Sequence, residues 1–422
     1  MKYVIVIIDG ASGWPASALE GRTALEAAHT PNLDRLAREG SAGMVDNVPP
    51  GMEPSSAIAC MSVMGFDPTA YYAGRGPIEA MAMGIGLEPG EVAMRCNFVT
   101  VVDGKMASYS AGNINSEESA ELVAALREGL GDAFQGDFDG AGAEHAGSAS
   151  RRARMALYAG VGFRQILTVR DGAELLVTSF TTPHDIADRP VAGYQPVGPG
   201  AHLVGDLMER SKGILAGHPV NEARIARGEL PATQIWLFWP GTRPAEMPTF
   251  SEIYGGRKAA MTSGVDLLRG LAIQTGMDVL TVPGVTDRGD NDYRAQMAGA
   301  LEALDDHDVV FVHVEAPDEA SHSGDVAGKV RAIEQTDRLI ISQVLDAAEH
   351  HAGLSGGLRL MVLPDHPTPL EIKTHVAEPV PFVMWGPGIG PNRAKAYTET
   401  AARATGIAVA PGHRLMSLFL AG

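Results

Sequence analysis

The chain has 422 residues, more than a single hydrophobic core usually accommodates, so we expect two domains. Apolar residues make up 45% of the sequence and charged residues 20%, a composition typical of globular proteins that excludes a disordered or fibrous class. The formal charge of -18 argues against a nucleic-acid partner, because binding to a phosphate backbone requires a clustered positive surface.

The first predicted element is a buried strand in YVIVIIDG, which ends in Asp9 and Gly10. Its apolar run is too short for the core of a signal peptide, and no stretch reaches the roughly 18 apolar residues of a membrane span. Cys60 and Cys96 cannot form a disulfide framework, which favours a reducing compartment. We therefore expect a cytoplasmic protein with no membrane partner.

Two helix starts follow. In TPNLDRLAREG, Thr30 is expected to be the N-cap, Pro31 the first helical residue and Gly40 the stop. In PPGMEPSSAIACMSVMGFDP, Ser55 and Ser56 directly precede a run of small and apolar residues. A hydroxyl at a helix amino terminus faces N–H groups that favour a developing phosphate, so this segment holds a candidate nucleophile, although a serine there is more often only a cap.

The middle of the chain is organised differently. Its apolar runs are shorter and are separated by turns with Gly and Asp, as in RCNFVTVVDG, FRQILTVRDG and ELLVTSF. This pattern predicts a smaller α+β insert. The expected division is a core of residues 1–75 and 246–422 and an inserted domain of residues 76–245.

After the insert, apolar runs again alternate with helical patterns. VVFVHV, LRLMVL and PFVMW are predicted strands, and the residues at helical spacing between the first two are Val330, Ile333, Ile340, Ile341 and Val344. The alternation predicts an α/β fold with a mostly parallel sheet flanked by helices. Ligands of such sheets bind at the carboxyl ends of the strands.

Carboxylate and imidazole side chains lie at these predicted strand ends: Asp9; Asp318 with His322; Asp365 with His366; and His375 shortly before PFVMW. Such ligands suit manganese, zinc or cobalt better than magnesium. Each group alone also fits a solvated helix pair or a helix cap. Because the groups fall at one edge of one predicted sheet, we expect them to form a single site for divalent cations.

Several motifs carry a resemblance to a known family. HTPNLDRLA, SVMGFDPTAYYAGRGPIEA, HVEAPDEASHSGD, DHPTP and HVAEPVPF resemble, in this order, the archaeal-type cofactor-independent phosphoglycerate mutases of the alkaline phosphatase superfamily. The resemblance covers most of the chain and implies an alkaline-phosphatase-like core with an inserted substrate-binding domain. It also implies glycolytic interconversion of 3-phosphoglycerate and 2-phosphoglycerate through a phosphoserine, with two divalent ions, manganese being favoured.

Carried over motif by motif, the resemblance assigns Ser56 as the nucleophile and places Lys258 near the transferring phosphoryl group. It implies two metal sites, one formed by Asp9, Ser56, Asp365 and His366 and the other by Asp318, His322 and His375. The candidates for substrate binding in the insert are Arg95, Asn97, Arg164, His184, Asp185, Asn221 and Arg224.

The chain departs from the family pattern around the substrate. Ser108 and Tyr109 replace an expected Asp–Arg pair, and Asn113 replaces a further arginine. Because a carboxylate usually demands a bidentate partner, a related phosphotransferase with another small substrate, such as homoserine, and a phosphatase stay open as alternatives. If the substrate is phosphoglycerate, we expect Arg164 or Arg224 to bind its carboxylate.

Overall fold

The computed structural model describes residues 1–131, 133–134, 154–243, 247–350 and 357–421. The strands are β1 (Lys2–Ile8), β2 (Ser41–Val45), β3 (Val92–Val102), β4 (Lys105–Ser108), β5 (Met155–Tyr158), β6 (Arg164–Val169), β7 (Gln234–Thr242), β8 (Ala259–Thr262), β9 (Asp278–Val279), β10 (Val309–Val314), β11 (Leu358–Leu363), β12 (Val380–Trp385) and β13 (Ala408–Val409).

The α-helices are α1 (Ala24–Ala27), α2 (Pro31–Glu39), α3 (Ser56–Val63), α4 (Pro68–Tyr71), α5 (Arg75–Ala82), α6 (Ser116–Gly129), α7 (Ala201–Leu215), α8 (Pro219–Ala226), α9 (Phe250–Ile253), α10 (Asp266–Gln274), α11 (Tyr293–Ala303), α12 (Ala316–Ser323), α13 (Val326–Thr336), α14 (Ser342–His350), α15 (Glu399–Ala404) and α16 (Arg414–Ala421). Short 3₁₀ segments occupy Ser17–Leu19, Ala173–Val177, Pro183–Ile186 and Val191–Tyr194, and a π-helical segment, Asp337–Ile341, joins α13 to α14.

The chain divides into two compact units. The first unit comprises residues 1–72 and 247–422, and the second unit comprises residues 73–246. Among the described residues, no helix combines the length and the apolar character needed to cross a lipid bilayer.

The first unit is built on a mixed sheet with the strand order β13-β2-β12-β11-β1-β10-β8-β9. Its central strands β11, β1, β10 and β8 are parallel, whereas β12 runs antiparallel to both β11 and β2. The central strands are buried over almost their whole length, as expected for parallel strands covered by helices on both faces. The α/β fold with a mostly parallel sheet is therefore confirmed.

The predicted helix after β1 is present as α2, but its cap differs from the expectation. Thr30 occupies the N-cap position without making a side-chain capping bond. Asp337, from the π-helical segment, instead accepts hydrogen bonds from the backbone N–H groups of Leu33 (2.7 Å) and Asn32 (3.4 Å). A carboxylate from a distant segment thus satisfies the free N–H groups of this helix.

The second unit contains an antiparallel sheet in which β3 pairs with β4, β6 and β7, and β5 pairs with β6. One hydrophobic core joins this sheet to α6 and α7. The apolar run ELLVTSF does not form a strand, because residues Ala173–Val177 form a 3₁₀ turn. Only Leu175 of this turn is buried, whereas Leu176 and Val177 are exposed, so the apolar run does not reflect a strand inside the core.

Candidate active site

The register of the central sheet brings three of the predicted strand ends together. Ile8, the last residue of β1, lies beside Val314 at the end of β10, and Ile7 lies beside Leu363 at the end of β11. The residues that follow these strands therefore emerge at one edge. Asp9 follows β1 directly, and the corresponding segments after β10 and β11 carry the other predicted acids.

His375 reaches the same edge by a different route. It lies before β12, which runs antiparallel to β11, so the start of β12 lies beside the end of β11. The sequence argument placed His375 at this edge only through its proximity to a strand. The antiparallel direction of β12 is the physical reason that the placement is correct.

One group of side chains consists of Asp318, His322 and His375. Asp318 and His322 share a face of α12, and the distance from Asp318 Oδ2 to His322 Nε2 is 3.0 Å. The distance from Asp318 Oδ2 to His375 Nε2 is 3.6 Å, and the two imidazole Nε2 atoms are 2.9 Å apart. Three potential ligand atoms thus converge on one point.

The second group consists of Ser56, His366, Asp365 and Asp9. His366 Nε2 lies 3.2 Å from Ser56 Oγ, 3.2 Å from Asp365 Oδ2 and 3.7 Å from Asp9 Oδ1. Asp9, Asp365 and His366 are fully buried, whereas Ser56 is half-buried and accessible to a ligand.

The two groups are adjacent. The rings of His366 and His375 lie with their centroids 4.0 Å apart, and potential ligand atoms of Asp9, Asp318 and His366 all lie within 4.8 Å of one another. The structure therefore brings all of the predicted metal-binding side chains into one site. We call this set the strand-end site.

Each imidazole of the strand-end site has its second nitrogen occupied. Nδ1 of His322 lies 2.9 Å from the carbonyl oxygen of Lys373, and Nδ1 of His375 lies 3.3 Å from that of Pro54. Nδ1 of His366 lies 3.3 Å from Oγ1 of Thr368. Once Nε2 of each ring is deprotonated, with the remaining proton on Nδ1, all three Nε2 lone pairs would point into the site, as in most histidine-ligated metal centres.

The charges of the site perturb several pKa values. Burial, together with the charges of Asp365 and Asp318, raises the pKa of Asp9 well above its usual value. Burial opposes ionisation of Asp318, yet hydrogen bonds with His322 and His375 hold the pKa of this carboxyl well below its usual value. The hydrogen bond with Asp318 also raises the pKa of His322 to about 9. Burial lowers the pKa of His366, which keeps this ring neutral.

The donor set fits divalent cations. Oδ1 of Asp9 is buried and makes no hydrogen bond within the described part of the chain, and Nε2 of His322 and Nε2 of His375 lie 2.9 Å apart with Asp318 Oδ2 beside both. A bound cation would compensate both features, since carboxylate oxygens and imidazole nitrogens are the usual ligands of manganese, zinc and cobalt. Gly10 makes room for this packing, because a Cβ atom there would lie 2.4 Å from Asp318 Oδ1.

The serine segment folds as expected from its small and apolar residues. Ser55 is the N-cap of α3 and Ser56 is its first helical residue. The Ser55 hydroxyl is buried and has no hydrogen-bond partner among the described residues, whereas the Ser56 hydroxyl faces His366. One turn further along α3, Cys60 Sγ lies 3.6 Å from Asp365 Oδ2, so Cys60 borders the strand-end site.

Lys258 does not reach the strand-end site. It precedes β8, and β8 begins beside the start of β10, where the Lys258 carbonyl accepts a hydrogen bond from the Asp308 N–H (2.9 Å). Asp9 lies beyond the opposite end of these parallel strands, a separation of roughly 20 Å at about 3.3 Å per residue. The placement of Lys258 near the transferring phosphoryl group is therefore wrong, because Lys258 lies at the amino-terminal edge of the sheet and the strand-end site lies at the carboxyl-terminal edge.

The sequence argument missed His313 and Glu315. His313 Nε2 lies 2.8 Å from Asp9 Oδ2, its Nδ1 lies 3.0 Å from Ser263 Oγ, and Glu315 Oε2 lies 3.6 Å from the same Nε2. His313 orients the carboxylate of Asp9. A histidine inside the apolar run VVFVHV, followed by an acid directly after the strand, is the signal that would have identified both residues.

In the second unit, four of the seven substrate-binding candidates lie in buried structural networks. Arg95 pairs with Glu79 and donates to Asn97 Oδ1 (3.0 Å). Arg224 pairs with Glu118 and donates to the carbonyl oxygen of Ala111 (2.8 Å). Asn221 is the fourth buried candidate, and its amide donates hydrogen bonds to the backbone carbonyls of Leu215 and Ala232.

The other three candidates, Arg164, His184 and Asp185, are exposed. Arg164 lies over the ring of Phe163 at 4.9 Å, and contacts between rings then run from Phe163 to Tyr109, from Tyr109 to His184 and from His184 to Trp239. We call the four rings Phe163, Tyr109, His184 and Trp239 the aromatic arc. Within the described part of the chain, Arg164 makes no ion pair, so its guanidinium is available to an anion.

A sequence profile of the family described as 2,3-bisphosphoglycerate-independent phosphoglycerate mutase matches residues 37–221. The chain is 43% identical over 422 residues to a protein of that name from Methanothrix thermoacetophila, with complete coverage of both chains. It is 38% identical over 426 residues to a probable enzyme of the same name from Geobacter sulfurreducens, again with complete coverage of both.

Solved structures give a consistent result. A Pyrococcus horikoshii protein superposes with a TM-score of 0.78 at 28% identity, covering 100% of this chain and 96% of its own. The cofactor-independent phosphoglycerate mutase of Thermoplasma acidophilum superposes with a TM-score of 0.63 at 26% identity, covering 100% of this chain and 99% of its own.

Proposed function

The chain belongs to the family of 2,3-bisphosphoglycerate-independent phosphoglycerate mutases, and from this premise we propose that it interconverts 3-phosphoglycerate and 2-phosphoglycerate through a phosphoserine on Ser56, with two divalent metal ions. The observation that carries the proposal is the position of Ser56 Oγ, 3.2 Å from His366 Nε2 at the start of α3. This half-buried hydroxyl borders the strand-end site. A glycolytic role of this kind would place the enzyme in the cytoplasm.

One ion would be held by Asp9, Ser56, Asp365 and His366, and the other by Asp318, His322 and His375. When bound, the pair of cations supplies charge neutralisation for the phosphoryl oxygens and the serine alkoxide. We propose manganese as the metal, because the site combines carboxylate oxygens with three imidazoles.

The chain's own residues would carry the phosphoryl transfer. Ser56 Oγ attacks the phosphorus and the bond between phosphorus and the 3-oxygen of glycerate breaks, while the serine proton passes to that oxygen. The 2-hydroxyl oxygen then attacks the phosphorus of the phosphoserine, the bond between phosphorus and Ser56 Oγ breaks, and the proton of the 2-hydroxyl passes to Ser56 Oγ. The N–H groups at the start of α3 stabilise the phosphoryl oxygens in both steps.

The second unit would bind the carboxylate of glycerate, and we propose Arg164 as the residue that does so. Arg224 was an equal candidate in the sequence, but its side chain is 3% exposed and is neutralised by Glu118. Arg164 is exposed and is held beside the aromatic arc by Phe163. A guanidinium in this position can form the bidentate contact that a carboxylate prefers.

An enolase-coupled assay of the purified protein with manganese and 3-phosphoglycerate tests the proposal. We expect formation of 2-phosphoglycerate, and we expect rapid acid quenching during turnover to trap a phosphopeptide that contains Ser56. Release of inorganic phosphate without 2-phosphoglycerate would indicate a phosphatase. A phosphopeptide at Ser55, or the absence of both reactions, would contradict the proposal.

A further inference from the structure

A buried lysine lies behind the strand-end site. Lys329, on α13, is 1% exposed, and its ammonium group donates hydrogen bonds to the carbonyl oxygens of Thr368 (2.8 Å) and Ser12 (3.2 Å). Burying an ammonium group costs several kcal/mol unless its hydrogens are well bonded. A charge is therefore maintained in the interior by two backbone carbonyls.

The two carbonyls belong to the two loops that carry metal-binding residues. Ser12 lies three positions after Asp9, and Thr368 lies two positions after His366. The loops also touch each other directly, because the Thr368 N–H donates to the Ser12 carbonyl oxygen (3.0 Å). The ammonium group of Lys329 thus closes a junction at which the two loops meet.

The junction is connected to a third predicted ligand. The Thr368 hydroxyl donates to Asp318 Oδ1 at 2.6 Å, which leaves Oδ2 of Asp318 facing His322 and His375. A shift of Thr368 would therefore change the orientation of Asp318. Through two hydrogen bonds, Lys329 acts on segments that carry ligands from both groups of the strand-end site.

Ser12 is held from its other side by a buried carboxylate. Glu399, at the start of α15, accepts hydrogen bonds from the Ser12 hydroxyl (2.9 Å), the Thr23 hydroxyl (2.7 Å) and the Gly13 N–H (3.3 Å). The side chain of Ser12 is thus fixed by a buried anion, while its backbone is fixed by the buried cation of Lys329. Small displacements of this loop are opposed in both directions.

From these contacts we propose that Lys329 is a positioning residue for metal binding, which holds the Asp9 loop against the His366 loop. The inference rests on the metal centre of the proposed function. Lys329 is not itself a metal ligand. It would act by fixing the geometry of the residues that are.

The direction in which metal affinity changes when Lys329 is replaced distinguishes a positioning role from a purely electrostatic one. A cation close to a metal centre repels the metal, so removal of the charge alone would strengthen metal binding. Loss of positioning would weaken it, and changes to residues that orient metal ligands typically cost about 10–100-fold in metal affinity. A methionine at position 329 would fill a similar volume without a charge or a hydrogen-bond donor.

The experiment titrates metal-free wild-type protein and the Lys329→Met variant with Mn²⁺ and measures the free ion by electron paramagnetic resonance. We expect the variant to bind Mn²⁺ about 10–100-fold more weakly. If Lys329→Met does not fold, as judged by circular dichroism, Lys329→Gln is titrated in its place. Its uncharged amide keeps two N–H donors, so a smaller decrease in affinity is expected.

Arg359 provides a matched control. It is 4% exposed, and it donates to the carbonyl oxygens of Pro387 (2.8 Å) and Phe419 (2.9 Å). In the sheet, Arg359 lies beside Tyr3 at the start of β1. This is the edge of the sheet opposite the strand-end site. Arg359→Met should lower the melting temperature without changing Mn²⁺ affinity.

Unchanged or tighter Mn²⁺ binding by the folded Lys329 variants would overturn the inference, and so would an equal loss in Arg359→Met. These results would leave the proposed function intact if the wild-type protein binds Mn²⁺ and is active. Failure of the wild-type protein to bind Mn²⁺ would instead overturn the two-metal proposal, together with the role of Lys329.

Discussion

The strand-end site of the first unit and the aromatic arc of the second unit differ in how their side chains are brought together. In the first unit, ligands from segments far apart in the sequence meet because parallel strands end at one edge of a sheet. In the second unit, all described strand pairs are antiparallel, so successive strand ends alternate between opposite edges. Sequence position after a strand therefore predicts convergence in the first unit but not in the second.

The difference extends to the charges. Acidic and imidazole groups of the strand-end site lie against one another, as in the 2.9 Å contact between Nε2 of His322 and Nε2 of His375. In the second unit, the buried guanidinium groups of Arg95 and Arg224 are each neutralised by a glutamate. The first unit thus gathers ligand-type side chains at one site, whereas most of the substrate-binding candidates in the second unit are held in ion pairs or hydrogen bonds with neighbouring residues.

The largest expected effect belongs to Ser56. Ser56→Ala should lower mutase activity by at least about 10³-fold, because the variant lacks the covalent relay. Ser55→Ala is the matched control, and it should retain most of the activity because the Ser55 hydroxyl makes no hydrogen bond with any described residue. Coupled assays and melting curves of both variants check this prediction. Similar losses in the two variants would show that the segment acts only as a helix start.

The second unit offers two arginines with different expected effects. Arg224→Ala should destabilise the protein by about 1–3 kcal/mol, because it removes the charged hydrogen bonds from Arg224 to Glu118 and Ala111 while Arg227 still pairs with Glu118. Arg164→Ala should leave the melting temperature unchanged and lower kcat/KM roughly 10²-fold, the scale of a charged hydrogen bond. Thermal unfolding and steady-state kinetics measure the two effects.

If Arg224→Ala remains stable while losing substrate affinity, the division of the second unit into structural and binding arginines is wrong. The same conclusion holds if Arg164→Ala has wild-type kinetics. In that case the carboxylate of phosphoglycerate is bound elsewhere, or the substrate of the enzyme has none.

A third prediction concerns pH and the first unit. The pKa of His322 is raised from 6.5 to about 9 in the metal-free protein by its hydrogen bond with Asp318. A metal must displace this proton, so the apparent Mn²⁺ affinity should increase up to about tenfold per pH unit between pH 7 and 9. Isothermal titration calorimetry in buffers of different ionisation enthalpy would detect the released proton.

The stability of the metal-free protein should change in the opposite direction. Because the folded state binds the His322 proton more tightly than the unfolded state does, the stabilisation is complete below about pH 6.5 and is lost as the pH rises through about 9. Denaturant unfolding of wild type and His322→Gln across this range measures the difference. An equal pH dependence in both proteins would contradict the role of His322.

The smallest effect tests a polar residue of the first unit that is not part of the strand-end site. Asp337→Asn should destabilise the protein by about 1 kcal/mol, since Asp337 caps α2. Thr30→Ala should have almost no effect, because Thr30 makes no capping bond through its side chain. Urea unfolding compares the two, and mutase activity should be unchanged in both. The reverse order of stabilities would restore the sequence-based assignment of Thr30.

These examples show where local sequence patterns are sufficient. The strands YVIVII and VVFVHV and the site at their ends were predictable, because burial of parallel strands leaves a clear apolar signal. The cap from Asp337 was not predictable, since it depends on a contact between segments about 300 residues apart. A helix cap supplied by a distant side chain leaves no local pattern at the helix start.

Two further errors have the same origin. The helical spacing of Val330 with Ile333 gave no sign that the neighbouring Lys329 is buried, whereas Val330 is only half-buried. Lys258 was assigned from a motif match alone, and its strand begins at the far edge of the sheet. In both cases the position of the lysine depends on how its helix or strand packs with the rest of the fold. The local sequence does not specify this packing.

The central claim is that the strand-end side chains hold two metal ions beside Ser56. Diffraction from crystals soaked in Mn²⁺, recorded at the manganese absorption edge, tests it most directly. We predict two anomalous peaks about 3.5–4 Å apart, one next to Asp365 and His366 and the other next to His322 and His375. A single peak, or a pair of peaks away from Ser56, would contradict the account.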